Sequence, residues 1–180
     1  MFKAFYPYEH VTSVHEIDYQ KLYELGIKGI IFDIDNTLVH HGENSNPKTD
    51  QLFKDIHQLG LKTILLSNNC DERIEQFVEN INTPYIADAN KPKTENYHQA
   101  IRRLGFNTKD VVMVGDQLFT DIYGANKCKM PSILVDYMRH DDEVKIGIRR
   151  QLEKVILKCY RQNKQYQKRL GDIQLTLTQN

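Results

Sequence analysis

Two aspartates, Asp33 and Asp35, directly follow a short apolar run, Ile30-Ile31-Phe32. Such a run is typical of a strand that is buried on both faces of a parallel sheet. A carboxylate at the end of this strand is costly to desolvate unless it is paired or holds a metal. Side chains alternate along a strand, so the two carboxylates should project to the same side. Together they offer the hard oxygen ligands that Mg²⁺ prefers, and the sequence predicts a cation site here.

Two further apolar runs, 64–66 and 111–114, also end in polar residues, which are Ser67-Asn68 and Gly115-Asp116. The carboxyl ends of parallel strands share one edge of the sheet, where open α/β sheets bind ligands. Lys91 lies between these clusters in the chain and could bring a cation to them. Each feature alone is better explained by a cap, a turn or a surface charge. In combination, carboxylates, a hydroxyl, an amide and a lysine suit a metal-bound phosphate.

The elements that must position these residues alternate along the chain. Strands are predicted at 30–32, 64–66, 85–86, 111–114 and 133–135, and helices at 17–25, 47–59, 71–80, 94–104 and 119–127. Thr94 is the expected N-cap of its helix. Helices of about ten residues between strands predict an α/β fold with a parallel sheet and right-handed crossovers.

In this order, the motifs closely resemble those of the haloacid dehalogenase (HAD) superfamily of phosphohydrolases. The four motifs match Asp33-Ile-Asp35-Asn-Thr37, Ser67, Lys91, and Gly115-Asp116 through Asp121. The resemblance covers about residues 28–137 and implies a three-layer, Rossmann-like fold. The phrases at 26–39 and 115–121, with the arm near Tyr6-Pro7, are similar to the subfamily IIIA, YqeG-type phosphatases. That subfamily is itself similar to mitochondrial phosphatidylglycerophosphate phosphatase.

The resemblance implies a role for each motif residue. Asp33 would be the nucleophile that forms an aspartyl-phosphate, and Asp35 would protonate the leaving oxygen and later activate water. Ser67 would hydrogen-bond a phosphoryl oxygen, while Lys91 would neutralise charge on the nucleophile and the phosphate. Lys93 competes for that last role, although the Lys-Pro order favours Lys91. The residues assigned to the substrate phosphate are Thr37, Ser67, Asn68 and Lys91.

The implied cofactor is Mg²⁺. Its assigned residues are Asp33, Asp35, Asp116 and Asp121, with Asp35 contributing its backbone carbonyl. Asp121 is expected either to orient another group or to ligate through water.

The gaps between motifs indicate an open site. Ser67 follows Thr37 by 30 positions, and Lys91 follows Ser67 by 24 positions. The predicted helices and strands fill both gaps, so neither has room for the cap domain that encloses the site in many relatives. An open cleft suits a large substrate, or a phosphate presented at a surface.

Composition limits the partners. Lysine plus arginine equals aspartate plus glutamate at 24 each, so the overall charge implies no nucleic-acid partner. Three scattered cysteines argue for a reducing cytosol, with neither a disulfide framework nor a zinc site. No stretch approaches a membrane span, and a cytoplasmic protein is expected. The oligomeric state stays open.

Both ends of the chain differ from the predicted core at 17–137. The N-terminal segment 1–16 is aromatic-rich and irregular, and it is expected either to pack on the domain or to touch a membrane interface. Within the C-terminal extension, 138–180, the stretch from 145 to 169 contains nine basic residues and one acidic residue. One helical face there is apolar, comprising Val144, Ile148, Leu152, Val155, Ile156 and Cys159.

The segment 144–169 has three interpretations. Its apolar side packs on the sheet with a solvated basic side, or it docks on anionic lipid, or it binds RNA. With the resemblance, these features predict a Mg²⁺-dependent phosphatase acting on a phosphatidylglycerophosphate-like lipid phosphate, peripheral at the inner face of the membrane. The alternatives are a soluble or protein phosphate substrate, phosphoryl transfer to another acceptor, and a catalytically weak binding module.

Overall fold

Six parallel strands form one sheet in the computed structural model, which describes residues 2–138 and 147–175. The strands are β1 (Glu9–Val11), β2 (Gly29–Phe32), β3 (Lys62–Leu66), β4 (Tyr85–Ile86), β5 (Val111–Gly115) and β6 (Ser132–Val135). Their order across the sheet is β1-β6-β5-β2-β3-β4. Phe32 of β2 pairs in register with Leu65 of β3 and Val114 of β5. The residues that follow these three strands therefore meet at one edge of the sheet.

Helices cover both faces of the sheet. They are α1 (Tyr19–Glu24), α2 (Pro47–Gln58), α3 (Asp71–Phe77), α4 (Thr94–Leu104), α5 (Tyr123–Lys127) and α6 (Ile148–Gln162). Alternation along β2 divides the core, because Phe32 packs with Phe53 of α2 on one face while Ile31 lies with Tyr97 of α4 on the other. This arrangement confirms the predicted three-layer α/β fold. The segments between β2 and β4 hold only α2, α3 and their loops, with no additional domain.

Local sequence signals explain where two of these helices begin and end. Asn46 caps α2 by accepting hydrogen bonds from the backbone N–H groups of Lys48 and Thr49, and Pro47 occupies the first turn. Gly105 ends α4 in the left-handed conformation, with a φ of 79°. The expectation that Thr94 caps α4 is wrong, because Lys93 holds that position and Thr94 is already helical.

The prediction that the N-terminal segment is irregular is wrong. It contributes β1, an edge strand in which Glu9 pairs with Ile133 of β6. A strand of three residues leaves little periodicity to detect. Its aromatic rings pack inward: Phe5 contacts Phe119 and Tyr123. Tyr6 is buried between rings of the C-terminal segment. These rings therefore pack against the core, which favours the interpretation that the segment packs on the domain.

The predicted helix at 119–127 differs in its first half. Residues Leu118–Ile122 form a π-helical turn, and α5 continues from Tyr123. π-helical turns are uncommon and are frequent at functional sites. This turn carries Asp121 into the protein interior.

Helix α6 does not pack its whole apolar face on the core, as one of the three interpretations expected. Ile156 is buried as expected, but Ile148, Leu152 and Val155 are 75%, 52% and 55% exposed. The buried face instead comprises Glu153, Ile156 and Tyr160. Val144 and Lys145 lie outside the described residues. Within the described part of the chain, no helix is long and apolar enough to cross a membrane.

Candidate active site

Three carboxylates meet where β5 and β2 end. Asp33 follows β2, Asp116 follows β5, and Asp121 comes from the π-helical turn. All three are buried, and one oxygen of each lies within 4.8 Å of the others. Hard oxygen ligands in such a cluster suit a divalent cation.

Close approach of Asp121 requires a glycine at position 115. A Cβ atom on Gly115 would lie 2.4 Å from the Asp121 carboxyl carbon. Asp121 Oδ2 accepts a hydrogen bond from the Gln117 backbone N–H at 3.1 Å. The strand end and the π-helical turn therefore fix this carboxylate together.

Lys91 is the cation of the cluster. Its Nζ donates to Asp33 Oδ1 at 2.6 Å and to Asp121 Oδ1 at 2.7 Å, and its side chain is only 3% exposed. Asn68 Oδ1 accepts the Lys91 backbone N–H at 2.8 Å, which anchors the lysine from the end of β3. Lys93, the alternative considered from the sequence, is exposed at the start of α4.

The cluster has more carboxylates than cations, and burial makes this excess negative charge costly. Burial raises the pKa of Asp33 to about 6, against the lowering effect of Lys91. Burial and the charge of Asp33 raise the pKa of Asp116 to about 8, although Arg150 of α6 lowers it. Burial lowers the pKa of Lys91, but Asp121 and Asp33 raise it further, so the amine stays charged. A divalent cation would relieve this repulsion, and the donor set fits one.

Asp35 lies apart from the three carboxylates, beside a cleft. Its carboxylate accepts hydrogen bonds from Asn69 Nδ2 at 2.6 Å and from the Gly42 backbone N–H at 3.0 Å. Arg73 and His41 each place a nitrogen 3.4 Å away. Burial raises the pKa of Asp35, but these partners lower it more, and it lies below its ordinary value. The contacts thus stabilise the form that accepts a proton.

The cleft above Asp33 has a volume of about 180 Å³. Its lining residues are Asp33, Asp35, Asn36, His41, Ser67, Asn68, Asn69, Lys91, Gln117 and Thr120. Ser67 accepts the Asn69 backbone N–H through its Oγ, which leaves the hydroxyl hydrogen available for a ligand. Both sides of the cleft are polar, as a phosphate requires.

Thr37 does not line this cleft, although it was assigned to the substrate phosphate. It is fully buried, and its hydroxyl lies 3.3 Å from Asp33 Oδ2 and 3.4 Å from Asp116 Oδ1. The Thr37 hydroxyl therefore contacts both carboxylates from the buried side of the site, away from the cleft.

Several residues of the site escaped sequence reasoning. His41 and Asn69 line the cleft, but neither was assigned to the site from the sequence. Asn69 stands beside the Ser67-Asn68 motif, so proximity was a usable signal for Asn69. Arg73 and Arg150 carry no local signal, because each reaches the site from a helix far along the chain.

A second cavity, of about 660 Å³, lies between α6 and the ends of β1, β5 and β6. Leu118, Leu134 and Leu157 line its apolar part, and Lys154, Lys158 and Arg161 add positive charge. Asp116 also lines it, so the cavity adjoins the carboxylate cluster.

Comparison with known proteins defines the class. Residues 30–90 match the family model of haloacid dehalogenase-like hydrolases, and residues 88–151 match a HAD-hydrolase-like model. An uncharacterized protein from Listeria monocytogenes shares the fold with a TM-score of 0.54, 18% identity, and coverage of 73% of this chain and 99% of that one. The cobalt-bound phosphatase YrbI of Haemophilus influenzae aligns with a TM-score of 0.50, 14% identity, and coverage of 78% and 91%. The chain belongs to the haloacid dehalogenase-like hydrolases.

A relative along nearly the whole chain narrows the class. The sequence is 35% identical over 173 residues to "Probable phosphatase YqeG" of Bacillus subtilis, covering 96% of both chains. With its complete set of motif residues, this protein is a HAD-type phosphatase.

Proposed function

We propose that this protein is a Mg²⁺-dependent phosphomonoesterase that works through an aspartyl-phosphate on Asp33. The observation that carries the proposal is the Lys91 amine, which bridges Asp33 and Asp121 beside Asp116 at the floor of a polar cleft. Asp33, Asp116 and the backbone carbonyl of Asp35 would hold Mg²⁺, with Asp121 in support. When bound, the ion supplies positive charge that keeps Asp33 ionised and offsets phosphoryl charge.

In the first step, an Asp33 oxygen attacks phosphorus, and the bond from phosphorus to the substrate alcohol breaks. Ser67 donates a hydrogen bond to a phosphoryl oxygen, and Lys91 offsets the negative charge. Asp35 protonates the departing alkoxide. A dianionic phosphate beside Asp35 raises the pKa of that carboxyl, which opposes the lowering seen without substrate.

In the second step, Asp35 accepts a proton from water as the water oxygen attacks phosphorus. The bond from phosphorus to Asp33 breaks, which releases inorganic phosphate and restores the carboxylate. The hydrogen bonds from Asn69 and Gly42 favour the ionised Asp35 that this step needs.

Hydrolysis of an aryl phosphate tests this proposal. The wild-type protein should release phosphate with Mg²⁺, and EDTA should stop it. Asp33→Asn should reduce kcat by at least about 10⁴-fold, since the nucleophile is lost. Lys93→Met is the matched control for a neighbouring lysine, and it should keep wild-type activity because Lys93 is exposed. An Asp33→Asn variant with full activity would contradict the proposal.

For the substrate we propose a membrane lipid phosphate of the phosphatidylglycerophosphate type. Within residues 2–138 and 147–175 no domain covers the cleft, so a headgroup could reach Asp33 from a bilayer. The exposed stripe Ile148, Leu152 and Val155 on α6 provides an apolar contact. Between residues 147 and 169 the sole acid, Glu153, is buried, so the exposed charges there are basic. An apolar stripe with basic neighbours is typical of helices that lie on anionic membranes.

Vesicle binding tests the substrate assignment. The protein should bind phosphatidylglycerol-containing vesicles in a salt-sensitive way, and phosphatidylcholine vesicles only weakly. Changing Arg149, Lys154 and Lys158 to Glu should weaken binding at least about 100-fold, at about 1 kcal/mol for each basic residue. Exposed Lys109→Glu serves as the control. Equal hydrolysis of the lipid phosphate and soluble glycerol phosphate, without vesicle binding, would contradict this assignment.

A further inference from the structure

Arg150 connects the C-terminal helix to the carboxylate cluster. Its Nη1 donates to the Asp116 backbone carbonyl at 2.8 Å and to Glu153 Oε2 at 2.9 Å, and its Nη2 forms an ion pair with Asp116 Oδ2. The guanidinium also lies over the Tyr137 ring, 4.4 Å from its centroid. Contacts on several sides fix the position of this planar group, which a flexible surface arginine would not show.

Glu153 holds Arg150 and the strand end together. The residue is buried, and a buried acid without partners is costly. Its Oε2 accepts from Arg150, and its Oε1 accepts the backbone N–H of Leu118 at 2.8 Å. The pair therefore attaches α6 to the loop after β5 at two points, Asp116 and Leu118.

The two oxygens of Asp116 have different surroundings. Oδ1 lies 3.4 Å from the Thr37 hydroxyl, which also lies 3.3 Å from Asp33 Oδ2. Oδ2 faces away from that pair, toward Arg150. By engaging Oδ2, Arg150 determines the rotation of the carboxylate and keeps Oδ1 beside the Thr37 hydroxyl, which also contacts Asp33.

The charges agree with a supporting role. Two basic side chains form ion pairs with four carboxylates. Lys91 pairs with Asp33 and Asp121, and Arg150 pairs with Asp116 and Glu153. With all six groups ionised, four carboxylates and two cations leave a net charge of −2, which one divalent cation would neutralise. Without Arg150, one such ion could not balance the cluster, and the dianionic phosphate would meet additional repulsion.

We propose that Arg150 is a positioning residue for Asp116, held by Glu153, so that helix α6 completes the metal site of the phosphatase. The inference rests on the proposed function, because Asp116 is assigned there to Mg²⁺. Outer contacts to metal-binding carboxylates typically contribute 10- to 100-fold to metal affinity or activity.

Calorimetric titration of the full-length protein with Mg²⁺ tests the proposal, alongside kcat at saturating Mg²⁺. Arg150→Met should raise the Mg²⁺ Kd about 10-fold or more and lower kcat. Arg150→Lys should recover only part of the affinity, because one ammonium cannot span the carbonyl, Asp116 and Glu153. Glu153→Gln should also weaken binding, while Arg102→Met, at an exposed arginine of α4, should match the wild type.

The outcomes separate this inference from the proposed function. If Arg150→Met keeps the wild-type Mg²⁺ Kd and kcat, this inference is wrong, while the proposed function still stands. Tighter Mg²⁺ binding by Arg150→Met would also overturn the inference, because it would show that Arg150 competes with the ion. Full recovery in Arg150→Lys would equally overturn it. If Arg150→Met fails to fold, as judged by circular dichroism, Arg150→Lys and Glu153→Gln decide. A wild-type protein that binds no Mg²⁺ would overturn both the proposed function and this inference.

Discussion

The two aspartates of the first motif differ in their surroundings. Asp33 is surrounded by buried carboxylates, and its pKa is raised by burial; the pKa of Asp35 is lowered by donors at the cleft, even against burial. The sequence predicted that both carboxylates belong to one site, because they stand at one strand end. It could not predict their opposite pKa shifts, since the partners Asn69, Arg73 and Asp121 come from other elements.

A pH dependence of stability follows from the raised values. The pKa of Asp33 is about 6 and that of Asp116 about 8, against an ordinary value of 3.8. A raised carboxyl pKa adds stability that is complete below the ordinary value and is lost as pH rises through the folded value. The metal-free protein in EDTA should therefore lose stability as pH rises to 8, by at most about 1.4 kcal/mol per pH unit for each proton.

Urea unfolding in EDTA at pH 6 and pH 8 measures this loss. Asp116→Asn cannot lose the proton, so its stability should fall less over the same interval. Mg²⁺ should stabilise the wild type more at pH 8 than at pH 6, where it must displace protons. An Asp116→Asn variant with the wild-type pH dependence would show that this carboxyl does not titrate there.

At the level of elements, long apolar strands and capped helices were predictable. Strand β5 and helix α4 appear where the apolar runs and Gly105 indicate them. Strand β1 is too short to show a pattern, and the π-helical turn has the same local composition as an α-helix. The sequence left the orientation of α6 open, because buried Glu153 is satisfied by Arg150 and Leu118, contacts that periodicity does not contain.

The junction of β5 with the π-helical turn gives a second prediction. Gly115→Ala would place a Cβ atom 2.4 Å from the Asp121 carboxyl carbon, so Asp121 must shift, which disturbs its hydrogen bond with Lys91. We expect a loss of about 1–3 kcal/mol in stability, as for other overpacked sites, and a fall in kcat. Thermal unfolding and aryl phosphate kinetics measure the two effects.

Gly147→Ala is the matched control for this substitution. Among the residues that the structure describes, a Cβ atom there would meet nothing within 4 Å, so stability and kcat should stay close to those of the wild type. Equal behaviour of the two alanine variants would show that the close approach at Gly115 is not required.

At the level of the whole molecule, the chain has no formal net charge, but its acidic and basic side chains lie in different places. Acidic groups converge at the buried site, and exposed basic groups accumulate along α6 and beyond. The composition showed the basic extension, and the motif spacing showed the open cleft. Neither could show that α6 points Arg150 inward and its apolar stripe outward, because that orientation depends on tertiary contacts.

Trapping of the covalent intermediate tests the central claim most directly. Asp35→Asn should still react with p-nitrophenyl phosphate, whose leaving group needs no proton, but it lacks the base for the second step. After acid quenching, mass spectrometry should find one phosphoryl group on the peptide that contains Asp33, and none in Asp33→Asn/Asp35→Asn. Turnover by Asp35→Asn with no phosphoryl group on that peptide, or with the group on another residue, would contradict the account.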